Sequence, residues 1–201
     1  IGTLEKPFRH FANTYMDVKF EINLNNQEVK SSNYGLFGVT ESKDSVITSI
    51  TDIIVSGNFN ITTPVEGVGS VLGTNKADSK VIITNCESYV NYTCSEDAIT
   101  SSKIGGIVGN GQGTVTIEKC TNNGAITLDY VNDSIGGIAG YMEKGSIANS
   151  INKGSISSTY AKHIGGIIGN VASAEFNGLI NSANIGTVEG RKHDITIDTT
   201  I

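Results

Sequence analysis

The sequence predicts an all-β protein, a right-handed parallel β-helix (β-solenoid) with three strands in each coil. Two observations carry this prediction: short Ile- and Val-rich clusters separated by Gly and Asn, and a motif that returns about every 30 residues. Strands and tight turns have this composition, whereas an amphipathic helix needs apolar residues at a 3.6-residue period. A repeat of this length indicates stacked units, because one unit cannot bury its own apolar face. We expect five to six coils of about 30 residues.

The repeat is clearest in three hexapeptides that begin with an apolar residue and two glycines. Residues 104–109 read Ile-Gly-Gly-Ile-Val-Gly, residues 135–140 read Ile-Gly-Gly-Ile-Ala-Gly, and residues 164–169 read Ile-Gly-Gly-Ile-Ile-Gly. Two looser copies lie upstream, and the last glycines of successive copies are 35, 36, 31 and 29 residues apart. The glycines to which we assign a structural role in the repeat are Gly38, Gly73, Gly105, Gly106, Gly109, Gly136, Gly137, Gly140, Gly165, Gly166 and Gly169.

The double glycine predicts a corner or a tightly packed wall of the coil. Glycine inside a strand marks a bend, a bulge or a close approach of two backbones, where a Cβ would clash with the next coil. The alternative is a ligand-cradling loop, since Gly-rich loops bind phosphates at helix N-termini. Here no helical pattern follows and no Lys-Ser/Thr pair completes a phosphate-binding loop, which favours the structural role.

A second shared element follows each hexapeptide and contains the pattern Asn-x-Gly. Its three copies are residues 115–126, 146–156 and 178–188. Asn122, Asn152 and Asn184 occupy equivalent positions, each two residues before a Gly. We expect them to stack amide to amide as a ladder at a turn, where they satisfy the turn carbonyls.

The length of 201 residues fits one solenoid domain over residues 1–201. Residues 1–34 are richer in aromatic and charged residues and predict an atypical first coil or cap, whereas residues 35–190 carry the Gly-Gly repeats. Residues 191–201 largely alternate with period two and predict a terminal strand. Two interpretations of this strand stay open: the chain is cut from a longer protein, or its open edge pairs with another molecule and forms a fibre.

The three cysteines match no zinc motif. Cys86 and Cys120 fall at the same repeat position, so their Cα atoms would lie about 5 Å apart, within disulfide range. A disulfide between them is one candidate. Two stacked small side chains are the alternative, since Ser150 and Ser182 follow at this position, and Cys94 could pair with Cys86 instead.

Three Asn-x-Ser/Thr tripeptides are candidate N-glycosylation sites, at Asn60, Asn91 and Asn132. Each lies near a predicted turn or loop. They matter only in an organism whose secretory route glycosylates such sequences.

Charge and motif content exclude several classes of function. A net charge of -6 argues against binding to nucleic acid or to an anionic membrane, and no apolar run approaches the ~18 residues of a membrane helix. The histidines His10, His163 and His193 join no catalytic motif. Glu118 and Lys119 have no charged equivalents one coil later. We therefore expect no catalytic residues, no metal site, no cofactor and no enzymatic activity.

With its Gly-Gly hexapeptides and its opening segment, the chain resembles the GLUG-type repeats of bacterial and protist surface proteins, which also occur as accessory regions of some secreted peptidases. The resemblance covers about residues 1–190. It departs at residues 9–13, where the family usually has a Gly-containing turn and an acidic residue. The resemblance implies an extracellular or cell-surface location and a scaffold or adhesive role, and it supplies no catalytic residues.

The expected function is therefore a non-enzymatic extracellular scaffold or adhesive surface module. Its expected partners are other copies of itself, neighbouring surface domains, and host or cell-wall glycans. One alternative is a subunit of an extracellular filament that stacks end to end by strand addition. Another is a carbohydrate-binding or carbohydrate-active β-helix.

Overall fold

The computed structural model describes residues 20–23, 34–41, 46–63, 65–95, 102–131 and 133–190. These residues form strands and turns and contain no helix, so none of their segments is a helix that could span a membrane. The strands are β1 Phe20–Asn23, β2 Phe37–Thr40, β3 Ile47–Thr51, β4 Ile53–Ile61, β5 Gly67–Gly69, β6 Leu72–Asn75, β7 Lys80–Thr84, β8 Glu87–Cys94, β9 Lys103–Gly105, β10 Val108–Glu118, β11 Thr121–Asn122, β12 Ile126–Thr127, β13 Ser134–Gly136, β14 Ala139–Ala148, β15 Ile151–Asn152, β16 Ile156–Ser157, β17 His163–Gly165, β18 Ile168–Val171, β19 Phe176–Ile180, β20 Ala183–Asn184 and β21 Val188–Glu189.

All strand pairs are parallel, and each residue pairs with its repeat equivalent one coil away. Ile135, for example, lies opposite Ile104 on one side and Ile164 on the other. The strands form a four-stranded, an eight-stranded and a nine-stranded sheet, and the chain passes through them in that order in each coil. The predicted parallel β-solenoid is confirmed, with three sheets that enclose one apolar core.

The described residues make about four turns, fewer than the five to six coils expected. Four full turns separate Tyr34 from Ile164 along one column, in which each residue pairs with the equivalent residue of the next coil. The larger prediction counted the predicted cap and terminal strand. Of these two segments, residues 191–201 and all of 1–34 except 20–23 and Tyr34 lie outside the described residues.

The first glycine of each pair lets the chain fold back on itself. A Cβ atom on Gly105 would overlap the carbonyl oxygen of Val108, and one on Gly136 would overlap that of Ala139. The four-stranded sheet therefore packs against the eight-stranded sheet at backbone contact distance. The double glycine is a corner and a tight wall together.

A second corner joins the eight-stranded sheet to the nine-stranded sheet and has a left-handed residue in every coil. The residues with positive φ at this corner are Asp52, Asn85, Lys119, Asn149 and Asn181, with φ between 45° and 59°. Asn and Asp enter this region more easily than other residues with a side chain. Four of the five positions follow that preference, and Lys119 is the exception.

Coil length varies mainly at the third corner, between the nine-stranded and four-stranded sheets. From the end of the nine-stranded sheet to the next four-stranded sheet, the chain needs 12 residues after Tyr92 and 8 residues after Ile156. By contrast, the stretch from Ile117 to Ile126 and that from Ile147 to Ile156 have the same length. Pairing in the sheets stays in register because this corner absorbs most of the difference.

Candidate functional site

The most regular polar feature of the molecule is the ladder of Asn122, Asn152 and Asn184 on β11, β15 and β20. The Nδ2 atom of Asn122 donates to Oδ1 of Asn152 at 2.8 Å, and Nδ2 of Asn152 donates to Oδ1 of Asn184 at 2.7 Å. Each amide also donates to the carbonyl oxygen two residues later, at 3.0, 2.9 and 2.8 Å. The amides of Asn122 and Asn152 are buried, so their polar groups serve the turn rather than a ligand.

The second glycine of each pair makes room for this ladder. A Cβ atom on Gly106 would overlap Asn122, one on Gly137 would overlap Asn152, and one on Gly166 would lie 2.5 Å from Cγ of Asn184. The ladder begins at Asn122 because the equivalent positions of the preceding coils are Ser88 and Val55. The two motifs of the repeat thus meet in space.

The last glycines of the repeats face the four-stranded sheet. They lie on β2, β6, β10, β14 and β18 and are Gly38, Gly73, Gly109, Gly140 and Gly169. A Cβ atom on Gly140 would overlap the backbone nitrogen of Ile104. Glycines on both sides of the fold-back therefore set the distance between the two sheets.

Cys86, Cys94 and Cys120 carry free thiols, so the candidate disulfides are not formed. The Sγ atoms of Cys86 and Cys120 lie 3.4 and 3.3 Å from the carbonyl oxygens two residues before them. Ser150 Oγ donates to the equivalent carbonyl at 2.9 Å. Each thiol is directed to its own strand rather than to its neighbour. The alternative prediction, stacked small side chains, describes this column.

Burial raises the pKa of the Cys120 thiol, and the adjacent Cys86 thiol raises it further. Cys94 is half-buried at the end of β8, and burial raises its pKa as well. A raised thiol pKa lowers the thiolate fraction near neutral pH. The buried pair therefore has the properties of packing residues rather than of nucleophiles.

Two of the candidate glycosylation residues, Asn60 and Asn91, are exposed on the outer side of β4 and β8. Oδ1 of Asn91 accepts a hydrogen bond from the backbone nitrogen of Ala125 at 3.0 Å, which fixes the amide against the next coil. Thr93 Oγ1 donates to Oδ1 of Asn60 at 3.4 Å. Asn132 lies outside the described residues.

Around these residues lies a flat polar surface that we call the amide face, made of Asn58, Asn60, Tyr89, Asn91 and Thr93. The Tyr89 ring is 47% exposed, and its hydroxyl donates to Glu87 at 3.0 Å. That hydrogen bond raises the pKa of Tyr89, which keeps the hydroxyl protonated. The sequence analysis missed this face, although the alternation of polar and apolar residues along β4 and β8 signals it.

Charged residues gather beside the fold-back, in pairs of opposite sign. Lys103 Nζ lies 3.6 Å from Asp133 Oδ2 and 5.4 Å from the centre of the Tyr141 ring. Glu66 Oε1 accepts hydrogen bonds from Asn110 at 3.0 Å and from Gln112 at 2.5 Å. A pair of opposite charges is not the pair of facing carboxylates that glycan hydrolysis uses.

Within the described ranges, no group of three or more His, Cys, Asp or Glu side chains could hold a metal ion. His163 is exposed at the start of β17, whereas His10 and His193 lie outside the described residues.

Comparison with known proteins gives one informative likeness. The sequence matches no protein-family model and none of the curated proteins. The fold is similar to a crystal structure from Bacteroides ovatus described as a "putative immunoglobulin A1 protease", with a TM-score of 0.53 and 18% sequence identity. The match covers 86% of this chain, which spans about 65% of the other. A likeness at this identity shows a shared parallel β-solenoid fold.

Proposed function

We propose that this protein is a non-enzymatic scaffold or adhesive module of the GLUG-like repeat kind, placed outside the cell or on its surface. The observation that carries the proposal is the contact between the second glycine of each pair and the ladder asparagine. The residues that recur from coil to coil are used to stack the coils. A repeat whose recurring residues all serve stacking is suited to hold surfaces at fixed distances, about 4.8 Å per coil.

Removing one coil tests the stacking role. Deletion of residues 135–163 joins Ser134 to Ile164, the repeat equivalent of Ile135, and so preserves the register. We expect this variant to keep its β-rich circular dichroism spectrum and a cooperative unfolding transition. The matched control deletes residues 135–149, which breaks the register and is expected to prevent folding. If both deletions unfold the chain, stacking of interchangeable coils is the wrong description.

A protease assay tests the absence of enzymatic activity. The description of the Bacteroides ovatus neighbour names immunoglobulin A1, which is therefore the substrate to try beside denatured casein. We expect both proteins to stay intact after prolonged incubation, as judged by mass spectrometry. Cleavage that persists after repurification of the chain would contradict the proposal.

A second candidate function is binding of neutral glycans at the amide face. An exposed aromatic ring beside uncharged amides and hydroxyls can stack on a sugar ring and exchange hydrogen bonds with its hydroxyl groups. A glycan array with wild type and Tyr89→Ala tests it, with Tyr160→Ala as the control because Tyr160 is also exposed but lies outside this face. Binding that only Tyr89→Ala weakens supports this function, and an array without signal removes it.

A further inference from the structure

The two ends of the described column differ in how their interiors meet solvent. At the N-terminal end, Phe37 on β2 and Ile50 on β3 are fully buried, although both strands lie at the end of their sheet. At the C-terminal end, Leu179 is 47% exposed and Val188 is 41% exposed. One end of the core is closed and the other is open.

The exposure at the C-terminal end comes from position in the stack and not from the residue type. Leu179 pairs with Ile147 and Val188 pairs with Ile156, and both partners are 0% exposed one coil earlier. The five strands of this last rung, β17 to β21, each lie at the edge of their sheet, since none pairs with a further strand among the described residues. We call these strands the open rung.

The open rung also presents backbone hydrogen-bonding groups. In the coil before it, the nitrogen of Ile156 donates to Thr187 O at 2.8 Å, and the oxygen of Asn152 accepts from Ile185 N at 2.9 Å. Parallel in-register pairing directs the same groups of the last coil, Val188 N and Asn184 O, away from the column. The face thus combines apolar side chains with unmatched donors and acceptors, which makes it a template for strand pairing.

The charges on the open rung have both signs. Lys162 and His163 are exposed where β17 begins, and Glu175 and Glu189 are exposed near β19 and on β21. Two copies of this face would therefore not meet as surfaces of like charge. Charge complementarity of this kind favours an interface between identical surfaces.

We propose that the open rung binds the open rung of a second copy and joins two columns into a closed dimer. Two rungs related by a two-fold axis run antiparallel where they meet, so their backbone donors and acceptors can pair. The N-terminal end of a copy is not a suitable partner, because its interior is already closed. The pairing ends at two chains, in contrast to the end-to-end filament considered from the sequence, and it does not depend on the proposed scaffold role.

Analytical ultracentrifugation over a concentration series tests the proposal. We expect the wild-type chain to reach twice its 21.1 kDa mass and no more. Leu179→Lys places a charge in the open rung, and Val188→Pro removes a donor that faces outward from it. Each is expected to weaken dimerisation by at least about tenfold. The matched control is Ile47→Lys, because Ile47 is 46% exposed on the edge strand β3 at the other end.

Circular dichroism and thermal unfolding show whether each variant is folded, and two different variants guard against loss of one of them. A chain that ends at Gly190 distinguishes a second copy from the chain's own last residues as the occupant of the open rung. The proposal expects this shortened chain to dimerise like wild type. A monomeric wild type, pairing by the shortened chain alone, unlimited growth, or dissociation caused only by Ile47→Lys would each overturn it.

Discussion

Gly137 and Asn152 share one packing site, because a Cβ atom on the glycine would overlap Cγ of the asparagine. The two residues belong to different motifs and different sheets, and the same relation holds for Gly106 with Asn122 and for Gly166 with Asn184. The Gly-Gly and Asn-x-Gly motifs are therefore two parts of one structural unit. Neither can change without affecting the other.

Gly137→Ala should destabilise the protein by about 2–3 kcal/mol, because the new methyl group overpacks against Asn152 and against the carbonyl oxygen of Gly166. Urea unfolding measures the change. Gly190→Ala is the control, since its nearest contact is the side-chain end of Ile164 at 3.2 Å, and it should cost less than about 0.5 kcal/mol. Equal losses for the two variants would contradict the shared packing site.

Asn152→Ala should cost more than Asn184→Ala. The middle substitution removes the acceptor of Asn122, the donor to Asn184 and the bond to Gly154 inside the protein, an expected loss of about 2–3 kcal/mol. The last asparagine is exposed, and water can replace its partners, so we expect about 1 kcal/mol. Thermal or urea unfolding of both variants checks the order, and a reversed order would show that the ladder does not carry the stability.

Stability should fall as pH rises through about 8.5, the ordinary thiol pKa. The folded state raises the pKa of Cys120, so the unfolded chain loses its proton first and unfolding becomes more favourable above that pH. Below it both states keep the proton, and the thiol makes no pH-dependent contribution. Urea unfolding between pH 7 and 10 measures the slope, which Cys120→Ser should reduce.

The size of the change at neutral pH provides the control for this experiment. Serine already occupies the column at Ser150 and makes the same bond to a backbone carbonyl. Cys120→Ser should therefore cost less than about 1.5 kcal/mol at pH 7. A slope that Cys120→Ser leaves unchanged would show that the thiol is not its source.

Tyr92 and Ser70 should show coupled effects on stability. Their hydroxyls donate to the same carbonyl oxygen, that of Gly106, at 3.0 and 2.6 Å, and burial raises the pKa of Tyr92. Tyr92→Phe and Ser70→Ala should each cost about 1 kcal/mol. The double variant should cost more than the two together, because the buried carbonyl loses both hydroxyl donors. Additive losses in a double-mutant cycle would contradict this coupling.

The fold could be predicted because its determinants are local and recur. Ile104, Ile135 and Ile164 stand in the same sequence context, and parallel stacking is the arrangement that gives each the same environment. Their pairing in one column follows from that repetition. The expected stack of Asn122, Asn152 and Asn184 rests on the same reasoning, since Asn-x-Gly appears at a fixed place in each of these coils.

Other features depend on three-dimensional relations that no local pattern records. The spacing of Cys86 and Cys120 permitted a disulfide, but it did not show that each thiol points to a carbonyl of its own strand. The exposure of Leu179 depends on the lack of a further rung, and its sequence context resembles that of buried Ile147. Lys119 adopts a left-handed conformation although its residue type disfavours it, so composition alone would not place that corner.

The corner between the nine-stranded and four-stranded sheets has a practical consequence for engineering. Because chain segments of quite different length leave the pairing on both sides unchanged, foreign peptides could be grafted there without disturbing the fold. Successive coils bring these graft positions above one another along the column, so a series of epitopes or binding peptides would be presented as an ordered array with a pitch of about 4.8 Å.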